Sequence, residues 1–135
     1  MSLYHSPLRQ APPPVWVLAG LVGATALLPG RLAVLLVLAP VIEELLFRAG
    51  LQETLLRRGL QPLWANLATT LAFVLLHGLT RSWPLAVGVL LPSLLLGRMY
   101  QGTRRVGPVV ALHAAMNLVW IALGTGANEL FPLFP

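Results

Sequence analysis

The stretch 39–50 places Glu43, Glu44 and Arg48 inside a run that is otherwise apolar. A charged side chain at the centre of a bilayer costs roughly 2.5–3.5 kcal/mol on insertion scales, with Glu taken to behave as Asp does, so three cost about 8–10 kcal/mol. The apolar residues between positions 32 and 47 return only about 3–7 kcal/mol. Such a segment does not insert by itself. Its charges have to face the inside of a helix bundle, and the rest of the chain has to supply their partners.

The surroundings agree. Of 135 residues 57% are hydrophobic and only 10% charged, against roughly 25% charged in an average soluble domain. Apolar runs of about 17–20 residues recur along the chain, which is the length of a membrane-crossing helix. With no cysteine, disulfides, thiol nucleophiles and thiolate metal sites are excluded. The net charge of +5 comes from arginines set singly or in pairs between apolar runs. That is how topology is written, and nucleic acid is not expected as a partner.

In order along the chain, residues 1–14 are a polar lead ending in three prolines, too rich in proline for helix. Residues 15–28 form a first apolar run. It resembles a signal-peptide core with Ala24-Thr25-Ala26 as a small-residue site, but is read as a short first span. The second run, 31–47, continues as helix through 51–58, where Glu53 and Arg57 pair at i,i+4 before Gly59 and Pro62 end it. A third run covers 64–79. A fourth covers 83–99, with a kink expected at Pro92. A fifth covers 106–123, and 126–135 is a tail. The expected fold is an all-α membrane helix bundle of about five spans: a transmembrane domain over 15–125, with a four-helix catalytic core at about 31–123. Arg9, Arg57, Arg58, Arg98, Arg104 and Arg105 gather on one side, Arg31 and Arg81 on the other. The positive-inside rule then predicts a multi-pass protein of the inner (plasma) membrane with a cytoplasmic N-terminus. Trp16, Trp64, Trp83 and Trp120 fall near span ends, as interfacial anchors do.

Three of these spans carry polar groups four residues apart, on one helix face: Glu43/Phe47 and Glu44/Arg48, Phe73/His77, and His113/Asn117. Ionisable residues in spans line a bundle interior or a cavity. At 1.5 Å per residue from the arginine-rich side, His113 lies roughly 10 Å deep, Glu43 about 12 Å and Asn117 roughly 16 Å. His77 joins them only if the third helix starts outside the membrane, entering near the polar Asn66, Thr69 and Thr70. The two acids differ. Glu44 has Arg48 one turn later, in the favourable order. Glu43 points about 100° away and lacks that ion pair, so it is the carboxylate left for chemistry. A Glu–His pair can hold a water and take its proton, and His113 with Asn117 can donate to a developing oxyanion.

Glu43-Glu44-x-x-Phe47-Arg48, Phe73-x-x-x-His77 and His113-x-x-x-Asn117, in that order on separate apolar segments, resemble the CPBP family: the CAAX proteases and bacteriocin-processing or immunity proteins, which include the type II CAAX prenyl endopeptidases. The resemblance covers roughly 40–120. It implies a glutamate-dependent intramembrane endopeptidase working without metal or other cofactor on a membrane-associated or C-terminally anchored peptide. Glu43 and His77 would activate the water, His113 and Asn117 would stabilise the oxyanion, and Glu44, Arg48 and Phe73 would support the site. The chain departs from members in having one span before the core and Ala49 where glycine often follows the arginine.

Other readings compete. The charges could be a buried structural network, and Asn117 could simply join helices. Two His and a Glu match zinc ligation in type, but HExxH is absent and three spans would have to contribute. At the level of function, the rivals are a non-proteolytic immunity or peptide-binding protein and a proton-relay transporter. Closure of the site by Arg104/Arg105 or by the 51–58 extension stays open.

Overall fold

A computed structural model describes residues 30–123. The polar lead, the first apolar run with Trp16, and the tail lie outside the described residues. Within them the chain is all helix in four rods. The first, α1, runs unbroken over 30–57. It is followed by α2 (Pro62–Thr80), α3 (Trp83–Thr103, interrupted at Val89) and α4 (Val106–Ala122). The four expected runs are all present, with ends shifted by a few residues.

Local chemistry sets the ends. After α1, Gly59 takes φ +85°. Leu60 N–H then reaches Leu55 O (3.1 Å) and Gly59 N–H reaches Leu56 O (3.0 Å), a paired closure that needs a residue tolerant of positive φ. Pro62 opens α2, where its missing N–H is harmless. The hydroxyl of Ser82 caps α3 by accepting from Leu85 N–H at 3.3 Å. The break in α3 falls at Val89, one turn before Pro92, whose ring and absent N–H disrupt the helix N-terminal to it.

Within α1 two stretches, Val34–Leu38 and Leu45–Gln52, are wound as π-helix. They flank the segment Ala39–Glu44 that carries Pro40 and both acids. In the first, Ala39 N–H donates to Val34 O, five residues back. The next donor in that register would be Pro40, which has none. Leu35 O is therefore left open toward the bundle.

Polarity is inverted relative to a soluble domain. Glu44, Arg48, Gln52, Thr69 and Ser93 are completely buried, while Leu71, Leu79 and Leu91 on the outside are 68–70% exposed. An outer surface of leucine around an ionic interior is what a bilayer solvates. Both α2 and α3 are long and apolar enough to cross a membrane. One apolar cluster in the interior is formed by Leu96, Tyr100 and Val109, flanked by Met99, Val106, Leu112 and Met116; Phe73, Leu85 and Ala86 are buried as well.

Asn66, Thr69 and Thr70 are also buried, which gives their polarity a different reason from the expected entry into the membrane. Asn66 Nδ2 donates to Leu94 O at 3.0 Å, Thr69 Oγ1 to Ala65 O at 2.8 Å, and Ser93 Oγ to Thr70 Oγ1 at 3.2 Å. The Asn66 and Thr70 bonds hold α2 against α3, while that of Thr69 stays within α2. Gly97 makes that approach possible, since a Cβ there would fall on the Asn66 amide.

At the arginine-rich end Glu53 is buried. It accepts from Arg57 Nε (2.8 Å), Arg104 Nη2 (2.9 Å) and Tyr100 O–H (3.0 Å). The hydrogen bond to Glu53 holds the exposed Arg57 guanidinium above its ordinary range. The 51–58 extension and Arg104 are thus pinned to each other.

Gly97→Ala should overpack the α2–α3 contact and lower stability by about 1–3 kcal/mol. Thermal unfolding of the detergent-solubilised protein checks this, with Gly102→Ala, where a Cβ meets nothing within 4 Å, as the control.

Candidate active site

Glu44 sits at the centre of the bundle. Its Oε2 accepts from Arg48 Nε at 3.0 Å, the expected i,i+4 pair. Its Oε1 accepts from His113 Nδ1 at 2.7 Å, across to α4. A carboxylate only accepts, so Nδ1 carries the hydrogen. His113 Nε2 is then turned toward Glu43, with Oε2 at 3.5 Å. One imidazole therefore bridges both acids. Arg48 continues the network, donating through Nη2 to Ser93 O (3.1 Å) and Ser93 Oγ (2.9 Å). One turn on, Gln52 donates to Gly97 O at 3.1 Å.

Glu43 and Glu44 are separated by environment as well as by direction. The Glu44 side chain is 0% exposed, that of Glu43 is 18% exposed, and Glu43 faces a cavity. His77, on α2, donates Nδ1–H to Phe73 O at 3.0 Å, because a carbonyl can only accept. Its Nε2 is the nitrogen left for other partners. Asn117 donates Nδ2–H to Leu35 O at 2.9 Å, the carbonyl that Pro40 leaves open. It joins α4 to α1 and keeps a second amide hydrogen.

The Phe73 ring lies between these groups. It meets Phe47 edge-on at 5.0 Å and His77 at 4.3 Å, and faces His113 at 6.1 Å, with the Arg48 guanidinium 5.8 Å from its centroid. It packs against both imidazoles.

A cavity of about 90 Å³ is lined by Glu43 of α1, Phe73 and His77 of α2, Ser93 of α3, and His113 and Asn117 of α4. A water needs roughly 10–15 Å³ on this measure, so several fit. All four residues selected as catalytic from sequence border this one space, together with the supporting Phe73. Glu44 and Arg48 stand behind it and hold His113. Among the described residues, no three of His, Cys, Asp or Glu converge as ligands of one metal ion.

Three features escaped the sequence reading. Arg81 at the end of α2, Trp120 and Ser93 all line the cavity. The signal for Arg81 was its place four residues after His77; for Ser93 it was a lone hydroxyl in an apolar span. Trp120, read from sequence only as an interfacial anchor, lies beside Gly88 of α3. The cavity also lies toward the end where α2 finishes and α3 begins. The Glu53–Arg104 cluster, and the extension considered as a closing element, are at the opposite end.

Fold and cavity together define a membrane helix bundle with an acid- and imidazole-lined interior. A family model described as type II CAAX prenyl endopeptidase Rce1-like matches residues 11–119. That is most of the chain, which therefore belongs to the Rce1-like family of membrane-embedded proteases acting on peptide or protein substrates. No curated protein matches the chain, and no solved structure does.

Arg48→Met would strand Glu44 without its cation inside the bundle, and should cost about 3–5 kcal/mol of stability. Arg57→Met, where the arginine is 73% exposed and the buried Glu53 keeps Arg104 and Tyr100 as partners, should move the unfolding midpoint far less. Unfolding of the two variants side by side measures the contrast.

Proposed function

We propose that the chain is a metal-independent glutamic-type intramembrane endopeptidase, cleaving a peptide bond in a membrane-associated or C-terminally anchored substrate. The observation that carries this is the convergence of Glu43, His77, His113 and Asn117, from three separate helices, on one cavity of water-holding size. Scattered structural polar groups have no reason to share a wall.

In the proposed reaction, Glu43 and His77 Nε2 hold a water. As its oxygen attacks the scissile carbonyl carbon, Glu43 takes a water proton. The carbonyl oxygen becomes an oxyanion facing the second amide hydrogen of Asn117 and Nε2–H of His113, which in this step is the imidazolium, donating through Nδ1 to Glu44 and through Nε2 to the oxyanion. Collapse breaks the C–N bond, and the proton held by Glu43 passes to the leaving amine. Glu44 and Arg48 act by orienting His113. General base catalysis is typically worth about 10²–10⁴-fold, and a single oxyanion donor about 10²–10³-fold.

Glu43→Gln, purified and reconstituted beside the wild type, should lose at least about 10²-fold in cleavage rate, read by mass spectrometry of membrane-anchored candidate peptides. Fragment patterns identical in the two proteins would remove the hydrolase mechanism. A non-proteolytic peptide-binding role would then be left.

The arginine distribution supports an inner (plasma) membrane protein with a cytoplasmic N-terminus. The absence of native cysteine makes this directly measurable. In intact cells, an impermeant maleimide should label Thr80→Cys and spare Arg58→Cys; the reverse pattern would invert the topology.

A further inference from the structure

Arg81 is the residue at which α2 ends. Its N–H still donates to His77 O at 2.9 Å, but φ −128° and ψ −89° take the chain off the helical path. From there the side chain lines the cavity and acts through its charge on both Glu43 and His77. The other charges at the site are engaged. Glu43 faces His113, Glu44 binds His113 and Arg48, and Arg48 binds Ser93. The Arg81 guanidinium makes no hydrogen bond or ion pair with any described residue. Leu85, Val89 and Ile121 are among the apolar residues that line the same cavity. Trp120, which lines the cavity too, has a buried Nε1–H with no partner among the described residues.

A guanidinium is a planar fork matched to a carboxylate, and Arg81, exposed where it lines the cavity, is reachable by a ligand from outside the bundle. We propose that Arg81 is a specificity-determining residue that pairs with a carboxylate of the substrate peptide, its free C-terminus or an acidic side chain, on the flank of the cavity beyond His77. The proposal rests on the peptide-hydrolase reading for its choice of ligand. It adds what that reading lacks, a charge requirement on the substrate.

Binding separates the two claims. The full chain carrying Glu43→Gln is placed in phosphatidylcholine nanodiscs. It is titrated with apolar peptides of alanine, valine and leucine carrying an uncharged nitrobenzoxadiazole label, in three forms: free C-terminus, amidated C-terminus, and amidated with one internal aspartate. Peptides bearing a carboxylate should bind about ten- to a hundredfold more tightly than the fully amidated form. The preference should vanish with Arg81→Gln and return in part with Arg81→Lys. Whichever carboxylate form gains identifies the source. Equal binding of all three forms, no binding of any, or a preference that survives Arg81→Gln would overturn the proposal. So would an Arg81 effect that follows added anionic lipid instead of the peptide, which would mark a headgroup contact. Because the protein titrated does not turn over, a wild type that fails to cleave leaves this result standing.

Discussion

The Glu44 carboxylate has no access to solvent, and its two oxygens are held by Arg48 Nε and His113 Nδ1. Removing ions from water costs several kcal/mol each, and only close pairing with further hydrogen bonds offsets it. In a bilayer the outside offers no alternative, so three helices must be positioned wherever Glu44, Arg48, His113 and Ser93 can meet. The relative placement of α1, α3 and α4 follows from that requirement together with apolar packing, in a small cluster around Leu96, Tyr100 and Val109 and at the buried Phe73, Leu85 and Ala86. The same bonds orient His113 toward Glu43. Neutralising a buried charge and aligning the cavity wall are one structural act.

A second constraint comes from the backbone. The wide turn before Pro40 leaves Leu35 O without a helical donor, and Asn117 supplies one. A buried carbonyl without a partner is rarely tolerated. The irregular winding of α1 is thus converted into a specific link with α4, beside the cavity, where π-turns are often found in functional proteins.

The spans were legible because a bilayer imposes a length, and runs of that length are visible in the sequence. The contrast between Glu43 and Glu44 was also legible, since helix geometry turns them apart and Arg48 lies one turn from only one of them. Contacts between helices were not. Glu44 and His113 are 69 positions apart, and no local rule joins them; His113 was expected to face the cavity without the second acid behind it. Asn66 and Thr70 suggested a water-exposed start to the third helix because polarity alone does not distinguish an aqueous surface from a partner helix. The link from Pro40 through Leu35 to Asn117 requires the winding of α1, which sequence patterns do not reveal. Arg81 was read only as a topology mark, since its position on the cavity depends on how α2 ends.

Seventeen residues of α4 extend roughly 26 Å, less than the roughly 30 Å of an average hydrocarbon core. A short span is accommodated by thinning of the adjacent lipid or by flanking groups that stretch toward the headgroups. Asn117 and Trp120 lie in the last turns of this helix, on the cavity side. Thinning of the bilayer at that end of α4 would bring bulk water nearer to the polar cavity.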